Sequence, residues 1–408
     1  MTASLAITGI GLVGPFGLGR DALRGVLESG ELVRSEVDRS RGFHLPDAAA
    51  TAGLVDRSSY RAWVDNRTAR RMSLPSQLAV AAARLAFADA EVERESVSGR
   101  GAAVVLGTAF GPTDTSTRIL DQIRGQGPES VSPFLFMESL ANVHAGQIAL
   151  DNELVGPNAT VTQREAGTLL AVVQAAAYVH AGAAPFALAG GVEEIAPLTH
   201  AVLDRFRALS RTRADERGRA FDRDRDGTFL SEGAVVVLLE PLESAREQGR
   251  TVHAVLRASV RATDPTATAQ NWGGGDEALA GALRAGLVRN GIDPGSIDRV
   301  VSGANGSVAG DRLEAGVLKR LFGAELPPVL APKASTGEYG AGLLGAAVLA
   351  VGDEGRWPTP GFEAIDPACG VRPHDGRTLA PARRVLVSAL AAGGPAAWLV
   401  LDAPDEVA

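Results

Sequence analysis

The sequence predicts an α/β protein of two similar halves that together form a five-layer αβαβα sandwich. Two observations lead to this fold class. Short stretches that are apolar on both faces alternate with helical stretches along the whole chain of 408 residues, a pattern typical of parallel or mixed sheets covered by helices. The alternation restarts after a charged stretch at 243–250. We therefore expect an N-terminal half at residues 1–245 and a C-terminal half at 250–408, each with the element order βαβαβαββ.

The elements of the first half follow from its apolar runs and the turns between them. We expect strands at 5–17, 102–108, 185–194 and 231–240, and helices at 21–28, 76–90 and 142–150. Residues 30–75 are mixed and polar and predict a loop-rich excursion with short helices, and 132–137 predicts an apolar loop. The spacing Gly9-x-Gly11-x-x-Gly14 is that of a dinucleotide loop, but Pro15 follows at once and no helix opens there, so we do not interpret it as a nicotinamide site.

The second half repeats the alternation. We expect strands at 252–261 and 299–306, helices at 276–290, 312–322 and 340–351, and a hairpin-like pair of strands at 384–401. The charged turn 220–227 begins like a calcium loop but lacks a Glu at the required distance after Gly227, so no metal site is expected there.

Composition excludes several classes of function. The net charge is −8 and Lys and Arg form no dense cluster, so no nucleic-acid partner is expected. No apolar run has the length of a membrane helix, and the N-terminus lacks the features of a leader peptide. Cys369 is the one cysteine, which rules out a disulfide within the chain and favours a reducing compartment. We expect a cytoplasmic protein with no membrane partner and no cofactor.

The stretch 156–179 predicts a sharp turn from a strand into a buried, alanine-rich helix. Such an elbow holds its apex residue at a helix N-terminus, where backbone N–H groups favour negative charge and where enzymes place nucleophiles. Here the apex candidate is Glu165. The alternative interpretation is ordinary: a Glu in the first turn of a helix complements the helix dipole.

Several motifs in the right order give the chain a resemblance to the β-ketoacyl synthases over nearly its whole length, which implies the thiolase fold. The matching pieces are 7–11, the 156–158 approach to the elbow, 189–193, 221–227, 232–234, Ala309-Gly310-Asp311-x-x-Glu314 and Pro332-Lys333-x-x-Thr336-Gly337. Asp311, Glu314 and Lys333 are therefore retained family positions.

The chemical groups that the resemblance implies are missing. A ketosynthase needs a Cys thiolate at the elbow and two His that promote decarboxylation and stabilise an oxyanion. Glu165 occupies the Cys position and Glu338 the second His position; the first His falls in 302–307, where there is none, and we place it at Gly303. The six His residues all lie elsewhere in the sequence. No catalytic residue is therefore assigned.

This pattern is most similar to the chain-length factor, the ketosynthase β subunit of type II polyketide synthases. The resemblance implies a non-catalytic subunit that forms a heterodimer with an active ketosynthase α subunit, shapes the tunnel for the growing polyketide, and meets acyl carrier protein with its phosphopantetheine-bound chain through the complex. The elbow residue of the aromatic-polyketide versions is Gln, so Glu165 leaves the product class open.

A second hypothesis is an enzyme of changed chemistry. Glu165 and Glu338 would converge in one pocket, and two close carboxylates can divide into an acid and a base. Alternatively, the two carboxylates fill vacated space and pair with Lys333 or Arg164. A similar choice applies to the candidates for the tunnel wall or gate, which could instead be core: Phe110, Thr113, Phe134, Phe136 and Met137.

Overall fold

The computed structural model describes residues 4–211, 216–338 and 342–406. Strands in these ranges are β1 (Leu5–Gly14), β2 (Gly17–Leu18), β3 (Ser35–Glu36), β4 (Thr51–Ala52), β5 (Ala103–Gly107), β6 (Asn158–Val161), β7 (Ala187–Glu193), β8 (Gly233–Pro241), β9 (Ala254–Thr263), β10 (Arg299–Val301), β11 (Val329–Leu330), β12 (Arg384–Leu390) and β13 (Pro395–Asp402). Helices are α1 (Gly19–Ser29), α2 (Asn66–Ala69), α3 (Leu74–Asp89), α4 (Thr113–Gln126), α5 (Pro133–Met137), α6 (Val143–Asp151), α7 (Gly167–His180), α8 (Pro197–Arg205), α9 (Leu242–Glu247), α10 (Asp276–Arg289), α11 (Val308–Phe322), α12 (Lys333–Thr336) and α13 (Gly342–Leu349).

The two halves have the same strand order and the same strand directions. In the first half β6, β5 and β7 run parallel, and β8 and then β1 follow antiparallel to their neighbours. In the second half β11, β10 and β12 run parallel, followed by β13 and β9 with antiparallel pairing. The short strand β2 pairs with β1, and β3 and β4 form a separate sheet. When the remaining five strands of each half are numbered along the chain, both sheets have the order 3-2-4-5-1, which is direct structural evidence of the duplication that the alternation predicted.

The sheets are joined and layered around three cores. β1 pairs with β9 over residues 5–7 and 254–256, so the two sheets are continuous. The helices α7 and α13 supply buried residues to a cluster that also contains residues of both sheets. On the outer face of the first sheet α3 and α6 form a second cluster, and α10 and α11 form a third on the outer face of the second sheet. The order is helix, sheet, helix, sheet, helix, as the thiolase fold requires.

The structure corrects one element and refines others. Residues 132–137, expected as a loop, contain the helix α5, which begins with Pro133 at its first position, where the missing N–H costs nothing. The helix expected at 312–322 begins at Val308, where the Ser307 hydroxyl caps it by accepting from the Gly310 amide at 3.2 Å. The start of the helix expected at 340–351 lies outside the described residues. The division of the chain at 245–250 falls on α9 and stays a prediction.

None of the helices in the described ranges combines the length and apolarity that crossing a bilayer requires.

Candidate functional site

The elbow forms where β6 ends and α7 begins. Residues Arg164–Ala166 make one 3-10 turn, and Arg164 has a φ of 45°, a left-handed conformation that a non-glycine residue adopts only under local constraint. The turn can pack this closely because β5 ends in Gly107, where a Cβ would meet the Gly167 carbonyl carbon at 2.4 Å. Glu165 thus lies just ahead of α7, and its Oε2 accepts a hydrogen bond from the Ala392 amide at 3.3 Å.

Glu338 is held in a buried ion pair. Lys333 Nζ donates to both of its carboxylate oxygens at 2.7 Å, and both side chains are almost wholly buried. Asn305 Nδ2 donates a third, short hydrogen bond to Oε2. Because a buried carboxylate is tolerated only when its charge and lone pairs are satisfied, Lys333 and Asn305 together hold the Glu338 side chain in place.

The turn after β10 meets this pair through Asn305 and not through Gly303. A Cβ on Gly303 would meet the Ser388 carbonyl oxygen at 2.7 Å, so no side chain fits there without movement of β12. The Asn305 side chain, two residues later, reaches Glu338. Asn305 is therefore a second candidate for the vacated His position within 302–307; the assignment of that position to Gly303 stays a prediction.

Asp311 and Glu314 bind the backbone of the turn after β10. Asp311 accepts from the amides of Phe221, Asn305 and Gly306 at 2.8–3.2 Å. Glu314 accepts from the Ser302 hydroxyl at 2.9 Å and the Gly303 amide at 3.2 Å. Burial raises the pKa of Asp311 to about 6 and that of Glu314 to about 7. Both acids therefore hold the backbone that presents Asn305.

Two cavities meet at Glu165. A small one of about 30 Å³ is lined by Glu165, Lys333 and Glu338 together, so the predicted convergence of the two glutamates is observed. A larger one of about 560 Å³ is lined by Glu165, Asn305, Phe110, Phe206 and Trp272 among others. The elbow thus borders a cavity that has the size of a small ligand site.

The five tunnel candidates do not lie together in the isolated chain. Phe110 lines the larger cavity with Glu165, whereas Thr113 is half-buried at the start of α4. Phe134, Phe136 and Met137 project from α5 into solvent, with 63%, 56% and 54% of their surface exposed, and they line neither cavity. These three side chains can border a tunnel only where another chain covers them.

The thiol and the imidazoles of this chain lie away from the elbow. Cys369 is buried and contacts Asp366, and burial raises the pKa of its thiol to about 11, which makes it unreactive. None of the six His side chains lines either cavity. His44 contacts His200, and His253 contacts Asp89, so these imidazoles have structural partners.

Sequence reasoning missed the roles of Asn305 and Glu193. Asn305 is the one amide side chain in 302–307, and it precedes Gly306 in a turn, which is the available signal. Glu193 lines the small cavity and is almost wholly buried. Its signal is a pair of acids, Glu193 and Glu194, placed directly after a wholly apolar strand.

Comparisons with known proteins agree with the observed fold. Residues 2–245 match the β-ketoacyl synthase N-terminal domain and residues 253–353 match the β-ketoacyl synthase C-terminal domain. A 3-oxoacyl-(acyl-carrier-protein) synthase 2 from Staphylococcus aureus strain COL is 30% identical over 388 residues, covering 90% of this chain and 89% of the relative.

Solved structures give the same fold. A structure described as the ishigamide ketosynthase/chain length factor superposes with a TM-score of 0.88 at 27% identity, covering 99% of this chain and 100% of the other. One chain of a structure described as a type II polyketide synthase acyl carrier protein in complex with its ketosynthase superposes with a TM-score of 0.87 at 20% identity, covering 99% of this chain and 100% of the other. This likeness concerns the fold alone.

Proposed function

The chain belongs to the β-ketoacyl synthase family, and we propose that within it the protein is a non-catalytic chain-length factor. In this role it pairs with an active ketosynthase α subunit and shapes the tunnel that receives the growing polyketide chain. Acyl carrier protein then meets the complex, and its phosphopantetheine arm delivers the chain to the partner's nucleophile.

The observation that carries the proposal is the set of side chains at the elbow. The resemblance assigns Glu165 to the position of the thiolate and Glu338 to that of the second imidazole, and within 302–307, where the first imidazole falls, Asn305 contacts Glu338. A carboxylate at position 165 would form a mixed anhydride with an acyl group, and transfer from a thioester to such an anhydride is uphill. Glu338 is already occupied by Lys333 and Asn305. The site therefore lacks both the nucleophile that would form an acyl-enzyme and the imidazoles that would stabilise the oxyanion.

A pocket is nevertheless retained. The cavity of about 560 Å³ is lined by Glu165 and by the side chains of Phe110, Phe206 and Trp272 among others. A chain that no longer forms an acyl-enzyme has no chemical need for such a cavity, but a subunit that shapes a tunnel does. This supports a role in accommodating the chain rather than in bond formation.

The surface between α5 and β6 supports a protein partner. Large apolar side chains are exposed at six positions within 22 residues: Phe134, Phe136, Met137, Leu140, Leu150 and Val155. In the same part of the chain β6 is the terminal strand of the sheet and, among the strands described, pairs with β5 alone. Exposed large apolar side chains and a free strand edge are both features of protein interfaces. The likeness to a ketosynthase/chain length factor structure favours a ketosynthase as the partner.

The second hypothesis, acid–base chemistry by Glu165 and Glu338, has one observation for it and one against it. The two carboxylates do line one small cavity. However, the charge of Glu338 is compensated by Lys333 at 2.7 Å, which removes it as a general base. We keep this chemistry as an outcome of the test.

The test is reconstitution with a ketosynthase α subunit that carries an intact nucleophilic Cys and two His. Decarboxylation and condensation of malonyl-loaded carrier protein are measured for this chain alone, for the partner alone, and for the pair. We expect turnover by the pair only, a 1:1 complex in size-exclusion chromatography, and complete loss when the partner's nucleophile is changed to Ala. Turnover by this chain alone would overturn the proposal.

Two variants separate the hypotheses. Glu165→Gln in this chain leaves condensation by the pair intact if the chain is non-catalytic, and changes the products if Glu165 is an acid or base. Glu165→Cys creates a thiol at a helix N-terminus, which alkylating agents should modify faster than the buried Cys369. The isolated Glu165→Cys chain should still not condense, because both imidazoles remain missing.

A further inference from the structure

The segment between β5 and α4 carries Phe110 and Thr113, and two buried carboxylates hold its backbone. We call residues 108–114 the wall segment. It has no regular structure before α4 begins at Thr113, so its conformation depends on side-chain hydrogen bonds to its amides. Those bonds come from Glu193 and Glu194, at the end of β7, about 80 residues away in the chain.

Glu193 holds the first part of the wall segment. Its Oε2 accepts from the amide of Ala109 at 2.5 Å, from the amide of Phe110 at 3.2 Å and from the Thr108 hydroxyl at 3.2 Å. The Thr108 hydroxyl in turn accepts from the Gly111 amide at 3.0 Å. One carboxylate oxygen therefore fixes, directly or through Thr108, every amide from Ala109 to Gly111.

Glu194 holds the other end. Its Oε1 accepts from the Asp114 amide at 2.8 Å, in the first turn of α4. Between the two anchors Gly111 has a φ of +66°, and a Cβ there would lie 3.2 Å from the Ala141 Cα. The wall segment is thus pinned at both ends and packed in its middle against the chain that joins α5 to α6.

The anchoring carboxylates are costly to bury. Both side chains are almost wholly inaccessible, and desolvation raises the pKa of Glu193 to about 8 and that of Glu194 to about 7. The second oxygen of Glu193, Oε1, has no hydrogen-bond partner among the described residues. Glu193 also lines the small cavity with Glu165, Lys333 and Glu338. The Glu193 side chain therefore lines the small cavity and also accepts hydrogen bonds from the wall segment.

We propose that Glu193 and Glu194 are positioning residues that set the wall of the larger cavity by fixing the position of Phe110. The inference rests on the proposed function, because it assumes that this cavity receives the polyketide chain. Neither residue contacts the chain in this scheme. Loss of the Glu193 carboxylate frees the amides of Ala109 and Phe110, and the Phe110 ring then no longer has one defined position in the cavity.

The first experiment follows amide hydrogen exchange in the isolated chain, which requires no partner. Glu193→Ala should raise exchange at Ala109 and Phe110 by tenfold or more, and Glu194→Ala should do so at Asp114. Glu193→Gln keeps an acceptor oxygen and should preserve protection. The matched control is Glu232→Ala, which removes another buried glutamate that accepts from the backbone amides of Val55 and Ile195. It should raise exchange at those two residues and leave the wall segment protected.

The second experiment compares products of the reconstituted pair by mass analysis of the carrier-bound chains. With Glu193→Ala the product distribution should broaden by at least one chain unit in each direction, whereas Glu193→Gln and Glu232→Ala should give the wild-type distribution. A wild-type pair that makes no product would refute the proposed function. A working wild-type pair whose products are unchanged by Glu193→Ala, with exchange raised at Ala109 and Phe110, would refute the positioning role alone. Unchanged exchange in Glu193→Ala would refute the anchor itself.

Discussion

At position 338 a carboxylate is buried in the protein, and neighbouring side chains compensate its charge. Its side chain receives two hydrogen bonds from Lys333 and one from Asn305, and hardly any of it reaches solvent. In a buried pair of this kind, each charge is tolerable only while the other is present. The ion pair therefore fixes two of the side chains that line the small cavity together with Glu165.

Removing one member of this pair should be strongly destabilising. We expect Glu338→Ala to lower the free energy of unfolding by about 3–5 kcal/mol, because Lys333 is left charged and buried. The double variant Lys333→Met/Glu338→Leu should cost less than that. The control Asp276→Ala breaks the solvent-exposed pair with Arg320 and should cost at most about 1 kcal/mol. Urea unfolding followed by circular dichroism gives all values, and equal losses in the two single variants would contradict the assignment.

Stability should fall as the pH rises above neutrality. Burial raises the pKa of Glu193 to about 8 and that of Glu194 to about 7, from an ordinary value of 4.5. The native state therefore keeps protons that the unfolded chain has lost, and this stabilising contribution disappears as the pH rises through the native pKa values. The buried His144, whose pKa burial lowers to about 4, acts in the opposite direction, but only below its ordinary value of 6.5.

The measurement is the melting temperature between pH 6.5 and 8.5. It should decrease across this interval in the wild type, and Glu193→Gln should reduce the decrease because one titrating group is gone. Part of the decrease should remain, since Glu314 also has a raised pKa. Glu277→Gln, at a side chain with 86% exposure, is the control and should leave the pH profile unchanged. A profile that Glu193→Gln does not alter would show that this carboxyl does not titrate there.

At the scale of elements, most of the fold was predictable because most elements are buried and long. The double-faced apolar strands β5, β7 and β8 and the helices α3 and α10 lie where the sequence placed them, within a few residues. α5 was not predictable from periodicity, since five residues are fewer than two helical turns. The same limit of local pattern applied at the site.

Lys333, Glu338 and Glu165 could be found from motif spacing, but Asn305 could not. Its direction depends on the register of the turn after β10, which Asp311 and Glu314 set through backbone amides. Likewise the bond from Phe110 to Glu193 joins residues 83 apart in the chain, and no local pattern reports it. Long-range contacts of this kind require the fold itself.

The apolar surface of α5 should make the isolated chain self-associate. Phe134 and Phe136 are more than half exposed, and exposed aromatic side chains together with the free edge of β6 favour association in the absence of a partner. Sedimentation velocity at micromolar concentration should show oligomers for the wild type and a monomer for Phe134→Ser/Phe136→Ser. Val288→Ser, at an exposed apolar residue on the outer helix α10, is the control and should behave as the wild type. A monomeric wild type, with no change on adding the ketosynthase, would contradict this prediction.

At the scale of the whole molecule, the duplication places residues of both halves around one cavity. Each half supplies the same 3-2-4-5-1 sheet, and the cavity that Glu165 lines takes residues from both halves, such as Phe110 from the first and Trp272 from the second. The candidates on α5 lie outside it, so they can act only in a complex. The wall of a complete tunnel would thus have an inner part within this chain and an outer part at the subunit interface.

The length of the product should respond differently to these two parts. Thr113→Trp adds bulk within the wall segment and should shorten the products of the reconstituted pair, because each chain unit that clashes costs about 1–3 kcal/mol, or roughly a tenfold change in product ratio. Phe134→Ala and Phe136→Ala should lengthen them, but only if the partner covers α5, and without loss of turnover because no catalytic group is changed. Phe43→Ala removes an exposed ring that lines neither cavity and should leave the products unchanged. Mass analysis of carrier-bound chains distinguishes the cases. A shift in product length with Thr113→Trp alone would mean that the inner wall sets the chain length. An unchanged product distribution in all three variants would mean that chain length is set within the partner subunit.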